Sequence, residues 1–360
     1  MAIELSGIPF TNRADVVPAS GEEEILNTGI ANTLAGNDRI TGTGGKYSIL
    51  NIGTLNTADG NDIITGIRSQ NEPLNDFGAG IRNEGGTIDT GNGNDIIEGI
   101  HNQNQTQDSF FGYGIDNERG IIDTGDGNDT ITGVNQRIGG IGINSMYGTI
   151  NTGDGNDIIT GIGRVGIVNV ETAFNTGNGN DIIIGNSVNE FGIGIVNQLE
   201  TMDTGDGNDR ITATGSVSIA NIIGSTIDTG DGNDLISAIG TRDGIENYGT
   251  INTGKGNDSI IADGGYGGDF VGSGSVFLGN GQDYLKGFGN GNFNGGDGQD
   301  ILELTSGSYT IEISGTTVNF TGYNYWGINI MKTSEFEKLI AGGTTYDFSS
   351  LTHGQTIFVA

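Results

Sequence analysis

The sequence predicts an all-β chain, a parallel β-solenoid of about eleven coils with an N-terminal cap and a small β-rich C-terminal cap. Three observations lead there. One short phrase, in most copies TGxGNDxI, recurs eleven times. The copies follow one another at a basic interval near 24 residues, lengthened in places to 28, 33 or 34 and shortened once to 17. The 360 residues hold 69 glycines, 3 prolines and only 33% hydrophobic residues, which suits stacked short strands and tight turns better than ordinary domains.

Residues 1–30 lack the phrase and contain Pro9 and Pro18, and are predicted to cap the first coil and shield its edge from pairing. The repeats fill residues 31–305. One unit shows three short strands, Val165 to Asn169, Thr172 to Thr176 and Asp181 to Gly185, in which β-branched residues alternate with period two and glycines make the turns. The longer intervals come from insertions after the DxIxG strand, at Arg68 to Phe77 and His101 to Phe111, with shorter ones near Asn135 to Gly140 and Asn186 to Phe191. A solenoid accepts loops at one corner of its coil, so these loops are predicted to share one edge and to carry any partner specificity.

Other columns recur with the phrase. Asn83, Asn117, Asn169 and Asn197, with Asn51 and Asn247 one residue out of register, predict an internal asparagine ladder. Thr90, Thr124, Thr152, Thr176, Thr204, Thr229 and Thr253 predict a ladder at a strand end, and the isoleucines of the phrase predict the core. Residues 306–360 are richer in aromatics. They predict strands at Tyr309 to Ile313, Thr316 to Phe320 and Gly327 to Met331, then a short helix over Ser334 to Ala341, where Ser334 and Glu337 match a capping box.

The chemistry of the phrase lies in its aspartates: Asp38, Asp62, Asp95, Asp129, Asp157, Asp181, Asp209, Asp234, Asp258, Asp283 and Asp300. Stacked about 5 Å apart, neighbouring carboxylates would repel by about 1 kcal/mol in water and about 3 kcal/mol at an effective dielectric of 20. Summed along the column, this rivals the net stability of a domain, so a bound cation is expected. Glycines free the turn to aim backbone carbonyls inward, and carbonyls with carboxylates make the hard oxygen cage that Ca2+ prefers. Up to about ten ions would fit between eleven turns. Three residues earlier stand Asp126, Asp154, Asp206, Asp231 and Asp297, but also Asn92, Asn178, Asn280, Ala35 and Lys255. A position that accepts lysine is no obligatory ligand, so these acids are surface charge, and the Asn before each motif Asp is an outward turn residue.

The phrase resembles the calcium-binding nonapeptide GGxGxDxUx of RTX-type β-roll proteins, most closely in GGDGQDILE at Gly295 to Glu303 and more loosely over residues 31–305. The resemblance implies Ca2+ bound at the eleven aspartates against the turn of an adjacent coil. Here the first Gly is usually Thr, and the turn recurs once per coil of about 24 residues rather than twice per 18, so calcium is expected along one edge only. The first two turns depart most, with Leu34, Ala35 and Ala58 in place of the usual residues. The C-terminal segment GGTTYDFSSLTHGQTIFVA is similar to the uncleaved ends of RTX-type proteins exported by type I secretion.

Forty-five acidic against 14 basic residues give a net charge of -31, which points to cations and away from nucleic acid and membrane insertion. With no cysteine there is no disulfide framework, and MAIELSGIPF lacks the basic start and apolar run of a cleaved signal peptide. Catalytic signals are poor: His101 and His353 read as surface histidines, GTGGKY lacks the spacing of a phosphate loop, and Trp326 reads as cap core rather than a sugar platform. The expectation is a non-enzymatic, calcium-binding structural or adhesive protein of the cell surface or extracellular matrix, with self-association or a surface polysaccharide as partner. Two alternatives are an ice-binding solenoid and a polysaccharide lyase or epimerase.

Overall fold

A computed structural model describes residues 2–17, 23–68, 77–102, 112–136, 139–324 and 327–360. Most of the two long insertions, Pro18 and Trp326 lie outside the described residues. The chain divides into two compact units, Met1–Val196 and Asn197–Ala360. Both are all-β, and among the described residues the only helical elements are two short 3-10 turns, Leu5–Gly7 and Phe348–Ser350.

In the first unit each coil contributes three strands to three in-register parallel stacks. The motif strands, among them Ile63–Arg68, Ile96–His101, Thr130–Asn135, Ile158–Gly163 and Ile182–Ser187, pair residue for residue. The middle strands follow the same rule, as in Ala79–Glu84, Tyr113–Glu118 and Ile141–Met146. The third strands are only three residues long, as in Thr87–Asp89, Ile121–Asp123 and Thr149–Asn151. Period two decides which side is buried: Ile97, Ile115 and Ile122, one from each strand of two neighbouring coils, are fully buried, and their flanking residues point out. The amino-terminal residues join the stack as well, with Ile3–Glu4 parallel to Ile25–Leu26 and Val16–Val17 parallel to Arg39–Ile40. The insertions leave and re-enter at one corner, since Arg68, His101 and Asn135 are in register at the strand ends, and Ala79, Tyr113 and Ile141 at the next strand starts.

In the second unit two strands, Arg210–Asn221 and Leu235–Asn247, run without interruption from the motif position into the middle position. The carboxy-terminal region is an antiparallel meander of Gly307–Ser314, Thr317–Asn324 and Gly327–Ser334, with Thr356–Val359 against its first strand. The three expected strands are present, each longer than anticipated. The expected helix over Ser334 to Ala341 is not formed. Lys338–Ala341 is a strand, parallel to Ile301–Leu304 and antiparallel to Thr344–Asp347. The capping-box residues are used elsewhere: Ser334 accepts from Asn294, and Glu337 accepts the backbone N–H of Asp300 at 2.8 Å. Pairing with the edge left by the last motif strand outweighs a local helical preference.

The ladders are present. Asn27, Asn51, Asn83 and Asn117 bond amide to amide at 2.8 to 2.9 Å, continuing to Ser145, and in the second unit Asn197, Asn221 and Asn247 do the same at 2.9 to 3.0 Å. Asn51 and Asn247 are in full register, contrary to the count from the motif, because the variable chain lies between the two columns. The threonines of the motif are buried, and most donate to the equivalent carbonyl one coil on, as Thr90 does to Thr124 at 3.3 Å.

Candidate metal column

All eleven motif aspartates are buried. Each of them from Asp38 on takes its place where the glycine turn hands over to the motif strand. In the first unit the backbone N–H of Asp38 donates to the Oδ1 of Asp62 at 2.6 Å, Asp62 to Asp95 at 2.7 Å, Asp95 to Asp129 at 2.7 Å, Asp129 to Asp157 and Asp157 to Asp181 at 2.8 Å. The second unit repeats this from Asp209 through Asp234, Asp258 and Asp283 to Asp300, at 2.7 to 2.9 Å. The column has ends that the repeat did not disclose. Asp15 donates its N–H to Asp38 at 2.7 Å, and Glu337 receives that of Asp300. Neither lies in a TGxGND phrase, so only the folded chain reveals them.

One oxygen of each carboxylate is thus spoken for. The other, Oδ2, is buried without a hydrogen-bond partner in Asp38, Asp62, Asp95, Asp129, Asp157, Asp234, Asp258, Asp283 and Asp300. Burial pushes these acids far up, to about 7 for Asp95, Asp129, Asp234 and Asp283 and to about 6 for Asp62, Asp157, Asp258 and Asp300. The N–H from the neighbouring coil works against that rise. The threonine hydroxyl beside the carboxyl also opposes it, but Thr57, next to Asp62, gives its one proton to the Thr90 carbonyl at 3.3 Å. The orphaned oxygen remains.

The turn above each Asp is a stack of glycines in backbone contact. Gly93 and Gly127 both have φ near +153°, and a Cβ there would lie 1.5 and 1.4 Å from the carbonyl of the equivalent glycine one coil back. No other residue fits. Among the described residues the carbonyls of Gly60, Gly93, Gly127 and Gly155 accept no hydrogen bond. Leu34 and Ala58 hold φ of +66° and +61° where later turns have glycine, which strains the two turns that depart most from the phrase.

An orphaned, buried carboxylate oxygen in nine of the coils, beside unbonded glycine carbonyls, is a donor set that fits a hard cation. Among the described residues no three acidic or histidine side chains converge, so each ion would be held by column carboxylates and backbone oxygens. The acids three positions earlier lie elsewhere. Asp154 is exposed and accepts from Asn178 at 2.7 Å, and Asp231 pairs with Lys255 at 2.5 Å. The Asn before each Asp is exposed, and its Oδ1 takes the N–H of the next Asn, as Asn61 does from Asn94 at 2.8 Å.

Two other polar groups bear on function. His101 is no surface residue: it is fully buried between Arg68, 3.0 Å from its Nε2, and Asn135, 3.2 Å from its Nδ1. Strand parity was the missed signal, because residue 101 points the same way as Ile97 and Gly99. His353 is exposed and accepts from the Ile313 N–H at 3.2 Å. On the middle strands Arg82 binds Glu84, Asp116 and Glu118, and Asn144 donates to Asp116. Burial pushes the neighbouring Tyr113 hydroxyl up, away from a proton acceptor's range at neutral pH.

Compared with known proteins, the chain matches no family model and no curated relative.

Proposed function

We propose that this chain is a calcium-binding structural or adhesive protein of the cell surface or extracellular matrix that folds as it takes up Ca2+. The observation that carries the reading is the column of buried aspartates, nine of which have one oxygen left without a hydrogen-bond partner. The chain's own residues position those oxygens by the N–H bond from the adjacent coil, and the glycine turns exclude side chains from above them. Calcium would supply the positive charge that permits the carboxylates to stay ionised in the interior.

The test separates two acids of one turn. Calcium titration of the chelated protein, followed by circular dichroism, should show a cooperative gain of β signal. Asp157→Ala should move the midpoint to higher calcium, and Asp154→Asn should leave it nearly in place. An unchanged β spectrum in excess chelator, or equal shifts for the two variants, would overturn the reading.

A second reading, binding of an ordered surface such as ice, is favoured by the third strands. They present outward columns in register, Thr54 and Thr87 in one, Asn56, Asp89, Asp123 and Asn151 in the other. Ile121 and Ala173 interrupt the hydroxyl column, and the stacked carboxylates of Asp89 and Asp123 suit ice poorly. A thermal hysteresis measurement decides it.

A further inference from the structure

The motif strands of the first unit bury one side in the core and turn the other outward. Nine of the fifteen residues on that outward side, across five coils, are isoleucine or valine. Its first column carries Ile63, Ile96, Thr130, Ile158 and Ile182. Its third carries Ile67, Ile100, Val134, Ile162 and Asn186. The central column is Thr65, Glu98, Thr132, Thr160 and Ile184, so a single charge, Glu98, stands within the face. Ile96 and Ile158 are its most open members, 39% and 38% exposed. The other outward sides of this unit differ, being ionic around Arg82 and hydroxyl- and Asx-lined on the third strands.

We infer that this face is an interface between two copies of the chain, packed sheet on sheet. Five strands about 4.8 Å apart and three outward positions about 7 Å apart give roughly 500 Å2 a face, so a pair would bury about 1,000 Å2, the lower bound of a specific contact. Row spacing selects the occupant. A second copy repeats the same spacing over all five rows, whereas a helix or loop would meet only one or two of them. A membrane is disfavoured by the net charge of -31.

Glu98 selects the arrangement. A two-fold axis along the stacking direction would set Glu98 against the partner's Glu98, two like charges in an apolar contact. An axis parallel to the strands at the Thr130–Thr132–Val134 row avoids this: it keeps the strands of the two copies parallel and sets Glu98 against the partner's Thr160, one coil beyond the axis. The interface rests on the folded first unit and not on calcium. Should the chain fold in chelator, the same measurement is made there.

Sedimentation equilibrium of the folded full chain at up to about 100 µM tests it. The wild type should be a dimer. Thr160→Glu, which brings two like-charge pairs across the axis, should raise the dimer dissociation constant at least about tenfold, and Thr160→Lys, which brings two ion pairs, should hold or tighten it. The same central column accepts Glu98 two coils away, and circular dichroism checks each variant's fold. Paired Ile96→Thr and Ile158→Thr, which trim apolar area and keep β-branching, should also weaken the dimer. A monomeric wild type, or equal behaviour of the two Thr160 variants, would overturn the proposal.

Discussion

The two units run the same repeat with different interiors. In the first unit the fourth residue after each motif Asp is glycine, and from Gly66 on it lies against a glycine of the middle strand. A Cβ on Gly99, Gly133 or Gly161 would sit 2.3, 2.3 or 2.2 Å from the carbonyl of Gly114, Gly142 or Gly166. In the first three motif coils of the second unit that position is Ala213, Ala238 and Ala262, all fully buried and in register, before Gly287 and Leu304 follow. The insertions all follow pinched coils, although the pinched Gly161 coil has none, and the alanine coils include the two long continuous strands. Outer surfaces differ as well: Arg210 and Asp263 are among the second unit's counterparts of the aliphatic columns, and its central column carries a Lys286–Glu303 ion pair at 2.8 Å. What does not differ is the Asp column and the Asn ladder. Interior polar columns bond coil to coil and so admit little change, the Asn ladder only a hydroxyl at Ser145, whereas pinch and surface answer to local packing alone.

The largest effect should strike the shared column. Eight of the aspartates, four in each unit, have folded pKa values of about 6 or about 7, above the value of 3.8 for a free side chain. A raised acid favours the folded state while it is protonated, so its contribution is complete below the unfolded pKa and is lost as pH rises through the folded one. In chelator, the column should therefore contribute most below about pH 4, and both units should lose stability progressively from about pH 4 to about pH 7. Calcium needs the ionised form, so the gain in melting temperature on adding it should be large at pH 8 and small at pH 5. Equal gains at both pH values would break the account of the column.

Next in size is the pinch. Gly133→Ala must push two backbones apart and should cost about 3 kcal/mol or more, whereas Ala238→Gly removes one buried methyl and adds chain entropy, for about 1 to 2 kcal/mol. Urea unfolding in calcium compares them. If the alanine costs no more than the glycine, the contrast between the two interiors is wrong.

The smallest effect belongs to the surface. Lys286→Ala breaks a half-exposed ion pair with Glu303 and should lower stability by no more than about 1 kcal/mol in the same denaturation experiment. A larger loss would mean that the outward side of the second unit contributes to stability as the interior columns do.

Much of the fold was legible because a repeat multiplies each local signal. Motif, interval and parity together placed the strands, the Thr and Asn ladders and the eleven buried aspartates. Counting failed where the chain between two columns varies in length, as for Asn51 and Asn247. It also failed at His101, where an insertion seemed to begin and the strand in fact continued inward.

By itself, then, the sequence determined whatever recurs: the coil, the inward Ile, Asn and Thr columns, and an acid in every turn. Tertiary structure alone decided the unique contacts. Asp15 and Glu337 close the Asp column from outside the repeat, and Ser334 to Ala341 gives up a capping box for an edge strand. The physical reason is range. Periodicity encodes neighbours one coil away, while an end is satisfied by whichever residue the folded chain brings to an unpaired N–H.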